Sequence, residues 1–163
     1  MIHEVTGDIL LTSAQTIAHG VAPFDHFDHG LALALRGDWP SMYKDFRHYC
    51  HLANPKPGTL WAWAGVGGRH IVCLLTQAPI PAGGHHPGKA TLENVNHALH
   101  ALRKYVAKEK ITSLALPRLA TGVGGLAWAQ VQPLITTQLG ELEIPIFIYT
   151  TYHPGLKATE NIP

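Results

Sequence analysis

Three stretches of this chain hold residue types whose spacing lets them act together. Leu114-Ala-Leu-Pro-Arg-Leu-Ala-Thr-Gly-Val-Gly-Gly-Leu-Ala-Trp128 runs from a short apolar strand into a glycine loop and on into a helix. Glycine frees the backbone to turn its N–H groups outward, here at Gly122, Val123, Gly124 and Gly125, and a helix N-terminus adds positive potential. An anion such as a phosphate suits that loop. The alternative is a plain βα connection whose glycines serve only close packing. Ala18-His-Gly-Val-Ala-Pro-Phe-Asp-His-Phe-Asp-His-Gly-Leu-Ala32 is a long loop carrying His26, Asp28 and His29. A histidine that titrates near neutrality is the commonest general acid or base, and Asp28 could orient it or replace it. With His85 and His86 the same group offers imidazole and carboxylate to a metal ion, but no spacing matches a strong zinc pattern, and no metal or other cofactor is expected. A third reading makes Asp28 a helix cap before Gly30 among solvated histidines. In Val5-Thr-Gly-Asp-Ile-Leu10, Asp8 follows a strand, where its carboxylate accepts either an exocyclic amine or the N–H groups of a turn.

The hydrophobic pattern supplies the scaffold for these residues. Strands are predicted over Ile2 to Thr6 and Thr16 to Gly20, and Gly30 to Leu35 reads as a buried helix start. A helix follows over Tyr43 to His51, after Pro40. Leu60 to Ala64 and His70 to Thr76 flank Gly65-Val-Gly-Gly68, which predicts an antiparallel hairpin. The best helix spans Thr91 to Lys108, where Leu92, Val95, Leu99, Leu102 and Val106 recur at three- and four-residue spacing. Strand Ser113 to Leu116, helix Trp128 to Leu139 and strand Pro145 to Thr150 complete the alternation. The result is an α/β chain with a mixed sheet and helices on its faces, in which ligands sit beyond the carboxyl ends of the central strands. The glycine loop lies in that place. Gly83-Gly-His-His-Pro-Gly-Lys-Ala90 matches the glycine and lysine spacing of a Walker A loop, but Ala90 stands where a Ser or Thr hydroxyl must bind magnesium. It reads as a flexible rim loop instead.

Composition narrows the class. The 163 residues fit one domain over 1–163, with a core of about 2–152 and a short C-terminal tail. A net charge of +1 leaves no polybasic stripe, so any nucleic-acid role must be site-specific. No signal peptide and no run of about 20 apolar residues is present, so a cytoplasmic protein without a membrane partner is expected. Cys50 and Cys73 sit far apart in unlike settings and read as neither a disulfide nor a metal pair.

Taken together, Gly7-Asp8-Ile9, Ile17-Ala-His19, Gly30-Leu-Ala32, Leu92-Glu-Asn-Val95 and Leu116-Pro-Arg-Leu-Ala-Thr-Gly-Val-Gly-Gly125 before Trp128 resemble a macrodomain. More narrowly they resemble the subclass of the terminal ADP-ribose protein glycohydrolase and the antitoxin macrodomains. The likeness covers about Ile2 to Thr150. It implies a three-layer α/β/α sandwich with a mixed central sheet that binds ADP-ribose. It also implies a ligand-binding set of Asp8, Ile9, His19, Gly30, Leu31, Thr121, Gly122, Val123, Gly124, Gly125 and Tyr152. Asp8 would meet the adenine and the 121–125 loop the diphosphate, with the loop ending at Gly30 covering the distal ribose.

The chain departs from that subclass where its chemistry lies. A lysine that attacks the distal ribose and an assisting aspartate are replaced by Gln77 and Gly124. An amide forms no Schiff base and glycine moves no proton, so a covalent lysine mechanism is excluded. Asp28 and His29 stand where glycines are expected, and with Gln77 they form the candidate catalytic set. The resemblance therefore implies ADP-ribose recognition first and water-based hydrolysis of an ADP-ribosyl bond second. The partner is ADP-ribose or an ADP-ribosylated protein or nucleic acid, with the protein acting as a monomer. A noncatalytic reader or buffer of ADP-ribose is the rival, and an ADP-ribose 1″-phosphate phosphatase the third reading.

Overall fold

A computed structural model describes residues 1–162. The chain runs β1 (Ile2–Gly7), a 3₁₀ turn (Ile9–Leu11), β2 (Thr16–Val21), α1 (Gly30–Asp38), α2 (Pro40–Ala53) and β3 (Leu60–Ala64). A second 3₁₀ turn (Val66–Gly68) leads to β4 (His70–Leu75), α3 (Leu92–Lys108), β5 (Leu114–Pro117), α4 (Trp128–Leu139) and β6 (Ile146–Tyr152). The six strands form one sheet in the order β1-β6-β5-β2-β4-β3. All pairs are parallel except β3 with β4, the expected hairpin, in which Trp61 lies opposite Cys73.

Alternation along the strands builds the three layers. On β4, Ile71, Cys73 and Leu75 face the layer of α1 and α2, while Val72 and Leu74 face α3 and α4. β6 divides the same way, with Phe147 and Tyr149 on one side and Ile146 and Ile148 on the other. Successive strand side chains point to opposite faces, so a strand buried on both sides reads as an unbroken apolar run. α3 buries the stripe Val95, Leu99, Leu102 and Val106, and Thr91 caps it by accepting the Asn94 N–H at 3.1 Å.

Element ends lie within three residues of the expected positions. α1 runs on to Asp38, and α2 begins at Pro40 rather than Tyr43, because proline is pre-set for the first helical position. Ser113 lies outside β5; its hydroxyl accepts the Gln15 N–H at 2.7 Å.

The segment after β6 is packed onto the body. Ala158 is buried in the α1/α2 layer. Gly7 permits this: a Cβ there would lie 2.8 Å from the Leu156 carbonyl oxygen and 2.9 Å from Ala158. Among the described residues no helix is long and apolar enough to cross a membrane, and no group of three His, Cys, Asp or Glu side chains is arranged to hold a metal ion.

Candidate active site

Beyond the carboxyl ends of β2, β4 and β5 lies a groove of three joined parts. Ile9, Leu10, Ala34, Tyr149 and Tyr152 line an apolar pocket of about 400 Å³. Gly30, Leu31 and Pro117 form the wall it shares with a central cleft of about 250 Å³. His29, Pro87 and Val123 lead from that cleft into an open recess of about 580 Å³.

Two sets of backbone donors face each other across the cleft. Gly122, Val123 and Gly124 line one side, and their N–H groups find no intramolecular acceptor among the described residues. Gly125, expected to be a fourth free donor, instead donates to the Gly122 carbonyl at 3.0 Å, which closes the loop on itself. The other side is the N-terminus of α1, where Gly30, Leu31 and Ala32 line the cleft and His29 supplies no side-chain cap. Unfilled donors and the dipole end of a helix together make an anion site. The helix that completes the cradle is thus α1; no α4 residue, although α4 follows the loop in sequence, lines the cleft.

Asp25 holds the loop before α1 in shape. Its Oδ2 accepts the Ala22 N–H at 3.0 Å and its Oδ1 the Phe27 N–H at 2.9 Å. Phe27, fully buried, takes a φ of 50°, a region a bulky residue enters only when its surroundings impose it. Immediately after it, the half-exposed Asp28 Oδ1 and His29 Nδ1 are 2.6 Å apart. Slight desolvation acts upward on the Asp28 carboxyl and is outweighed by the hydrogen bond and charge of His29, which hold it below the usual carboxylate range. Asp28 is therefore partnered with its neighbour and does not cap α1.

His19 and Gln77 also line the cleft, and both are buried. Burial lowers the His19 pKa to about 4, and its Nε2 lies 3.3 Å from Cys73 Sγ, a thiol that burial pushes well up. Near neutral pH, His19 is an uncharged wall. The Gln77 amide donates through Nε2 to the Gly88 carbonyl at 3.2 Å. Asp8 is committed as well: Oδ1 accepts the Leu10 N–H and Oδ2 the Gly155 N–H, each at 3.0 Å. Of its two sequence readings, the turn cap is the geometry seen, with the post-β6 segment as second partner.

His29, Gly30, Leu31, Gly122, Val123 and Gly124 thus meet His19 and Gln77 around the cleft, and Ile9 and Tyr152 line the apolar pocket. Asp28 stands in the recess. Thr121 and Gly125 line none of the three spaces; the Thr121 hydroxyl donates back to the Arg118 carbonyl at 3.0 Å. Sequence reasoning missed Asp25 and Arg118, which line the cleft, and Lys89, which lines the recess. Asp25 carried a signal, an Asp two residues before Phe27 in a loop needing backbone partners. Lys89 belongs to the Walker-like segment, yet its side chain lines the recess and lies against Gly125, within 3.2 Å of where a Cβ there would stand.

No family model matches the chain. It is 30% identical over 157 residues to a DNA ADP-ribosyl transferase-DNA ADP-ribosyl glycohydrolase fusion protein of Thermosipho africanus, covering 89% of this chain and 40% of that protein. The chain therefore spans well under half the length of that relative. Among solved structures, the macrodomain of Thermus aquaticus DarG superposes with a TM-score of 0.81 at 24% identity, covering 92% of this chain and 98% of that one. Thermosipho africanus DarTG in complex with ADP-ribose gives a TM-score of 0.81 at 23% identity, covering 96% of this chain and 42% of that one. A mixed six-stranded sheet between two helical layers, with a donor-lined cleft past its strand ends and these neighbours, gives this chain the macrodomain fold.

Proposed function

We propose that this chain binds ADP-ribose and hydrolyses an ADP-ribosyl bond, with a nucleic-acid linkage as the preferred substrate. The observation that carries this reading is the succession of an apolar pocket, a two-sided N–H cradle and a recess holding the Asp28–His29 pair. An adenosine fits the first part, a diphosphate the second and the distal ribose with its acceptor the third. The names of the relatives in sequence, DNA ADP-ribosyl glycohydrolases among them, favour nucleic acid as that acceptor.

With Gln77 and Gly124 in the places of lysine and aspartate, the nucleophile is water. The ionised Asp28 accepts the Nδ1 proton of His29 and so leaves Nε2 as the basic nitrogen. Nε2 takes a proton from water as the water oxygen bonds to the anomeric carbon. The bond from that carbon to the acceptor breaks, its electron pair leaves with the acceptor, and the His29 proton returns to it. Cleft N–H groups hold the diphosphate still while positive charge develops on the ribose.

Release of ADP-ribose from DNA-linked, protein-linked and 1″-phosphorylated substrates tests the reading. Turnover of the DNA-linked substrate is expected. Tight binding of free ADP-ribose with no release from any of the three would leave a noncatalytic reader.

A further inference from the structure

The recess next to His29 carries a charge pattern that hydrolysis of the ribosyl bond does not itself require. Its walls include His86, whose ring meets that of His29 edge-on at 5.9 Å, along with Pro87 and Val123. Its one carboxylate, Asp28, is already partnered by His29. Its one ammonium, Lys89, has no carboxylate within 4.0 Å and makes no hydrogen bond among the described residues.

Lys89 is nevertheless held in place. Its carbonyl accepts the Ala78 N–H at 3.0 Å, and the Gly88 N–H donates to the Ala78 carbonyl at 2.9 Å. The next residue, Ala90, donates its N–H to the Gly124 carbonyl at 3.0 Å and bridges to Gln77. The rim segment is thus stapled on one side to the end of β4 and on the other to the cradle. Only glycine at 88 allows this approach, since a Cβ there would lie 2.7 Å from that of Ala78. The ammonium rests against the side-chain-free face of Gly125, on the wall of the open recess.

We infer that this recess is a leaving-group subsite for single-stranded nucleic acid, in which Lys89 pairs with a phosphodiester beside the ADP-ribosylated nucleotide and the His86 ring and Pro87 offer flat faces to a base. The inference rests on the hydrolase reading above. An unpaired, positioned cation selects a phosphate. Imidazole and proline faces add stacking surface of the kind single strands use. About 580 Å³ open to solvent takes a nucleotide and lets the strand run on. With a net charge of +1 over the whole chain, such local contacts are what would make a nucleic-acid role site-specific.

The full chain is assayed on an ADP-ribosylated single-stranded oligonucleotide, on the matching ADP-ribosyl nucleoside without phosphates, on ADP-ribose 1″-phosphate and on free ADP-ribose. Wild type is expected to process the oligonucleotide at least tenfold better in kcat/KM than the nucleoside, with an excess that shrinks as salt rises. Lys89→Glu is expected to remove that preference, and His86→Ala to reduce it. Both variants should bind free ADP-ribose within about twofold of wild type, which also reports that they are folded. Equal kcat/KM for oligonucleotide and nucleoside in the wild type would overturn the subsite. So would a Lys89→Glu loss as large for free ADP-ribose as for the oligonucleotide, which would assign Lys89 to the diphosphate. A loss confined to ADP-ribose 1″-phosphate would instead assign it to a terminal phosphate. Failure of wild type to bind ADP-ribose at all would fall on the hydrolase reading and not on Lys89.

Discussion

Two histidines that line the same cleft hold opposite chemical positions, and burial is what separates them. His29 is half-exposed and hydrogen-bonded to a carboxylate, whereas His19 is enclosed against Cys73 and Phe27. A general base must be reachable by its proton, so the half-exposed, carboxylate-paired His29 fits that task and the enclosed His19 does not. His29→Ala is expected to cut release of ADP-ribose by ~10²–10⁴-fold with little change in ADP-ribose affinity, because proton transfer helps the transition state and not ground-state binding. Asp28→Asn should lose less, since the amide keeps the shape of the partner but not its charge. Parallel calorimetry and release assays check this; full activity in His29→Ala would assign the proton elsewhere. His19 instead governs stability. Its pKa falls from 6.5 in the unfolded chain to about 4 in the fold. Between those values the unfolded chain binds the extra proton, so the contribution is complete above pH 6.5 and is lost as pH falls toward 4. The loss is on the order of 3 kcal/mol. Thermal melts across that window should show a steeper fall for wild type than for His19→Gln, and parallel curves would refute the assignment.

At the scale of elements, the cleft is made by a loop and a helix end that meet only in three dimensions, and its glycines do different jobs. A Cβ on Gly124 would lie 2.7 Å from the Ala120 carbonyl oxygen, so that glycine is required by the fold of the loop. A Cβ on Gly122, which lines the cleft, meets nothing within 4 Å. Gly124→Val should therefore lower Tm and weaken ADP-ribose together. Gly122→Val should weaken ADP-ribose at least tenfold, about 1.4 kcal/mol, while Tm in the absence of ligand stays near wild type. Differential scanning fluorimetry with and without ADP-ribose separates the two cases, and a Gly122→Val protein that binds normally would mean the diphosphate lies elsewhere. The loop before α1 depends likewise on Asp25, whose two backbone bonds hold Phe27 at positive φ and aim Asp28 and His29. Asp25→Ala should cost about 1–3 kcal/mol for the buried donors left unpaired, and should lower turnover along with stability. Urea unfolding and the release assay report the two effects, and an intact stability would remove Asp25 from this role.

Across the whole molecule, the segment after β6 braces the apolar end of the groove. Glu160 Oε2 accepts from the Thr12 hydroxyl at 2.6 Å and from the Tyr149 hydroxyl at 2.5 Å, while Oε1 accepts the Ser13 N–H at 2.8 Å. Burial and the Glu160 hydrogen bond push the Tyr149 phenol far up, so it remains a donor, and its ring forms part of the apolar pocket. Asp8 is tied to the same segment through Gly155. Glu160→Ala should destabilise the protein by about 1.5–3 kcal/mol, the range for hydrogen bonds to a charged group. It should also weaken ADP-ribose more than ribose 5-phosphate, which does not reach the adenine end. Denaturant melts and calorimetry check both, and unchanged affinity would show that the segment braces only the fold.

Periodicity and turn chemistry are local, so the sequence by itself determined the order of strands and helices, the β3–β4 hairpin, the apolar stripe of α3 and the position of the glycine loop past a strand end. The motifs spread from Gly7 to Trp128 carried the macrodomain resemblance for the same reason, each being a short run that does not depend on the rest of the path. Burial and hydrogen-bond partners depend on residues far apart in sequence, and those only the tertiary structure decided. Asp8 meets Gly155 across 147 positions, and Gln15, just before β2, meets Thr112 and Ser113, just before β5. The neutrality of His19, the closing of Gly125 onto Gly122 and the arrival of Lys89 beside Gly125 all follow from which surfaces the chain path brings together. Local pattern names a residue's capacity, and the surroundings supplied by distant segments fix its protonation and its free donors, and hence its chemistry.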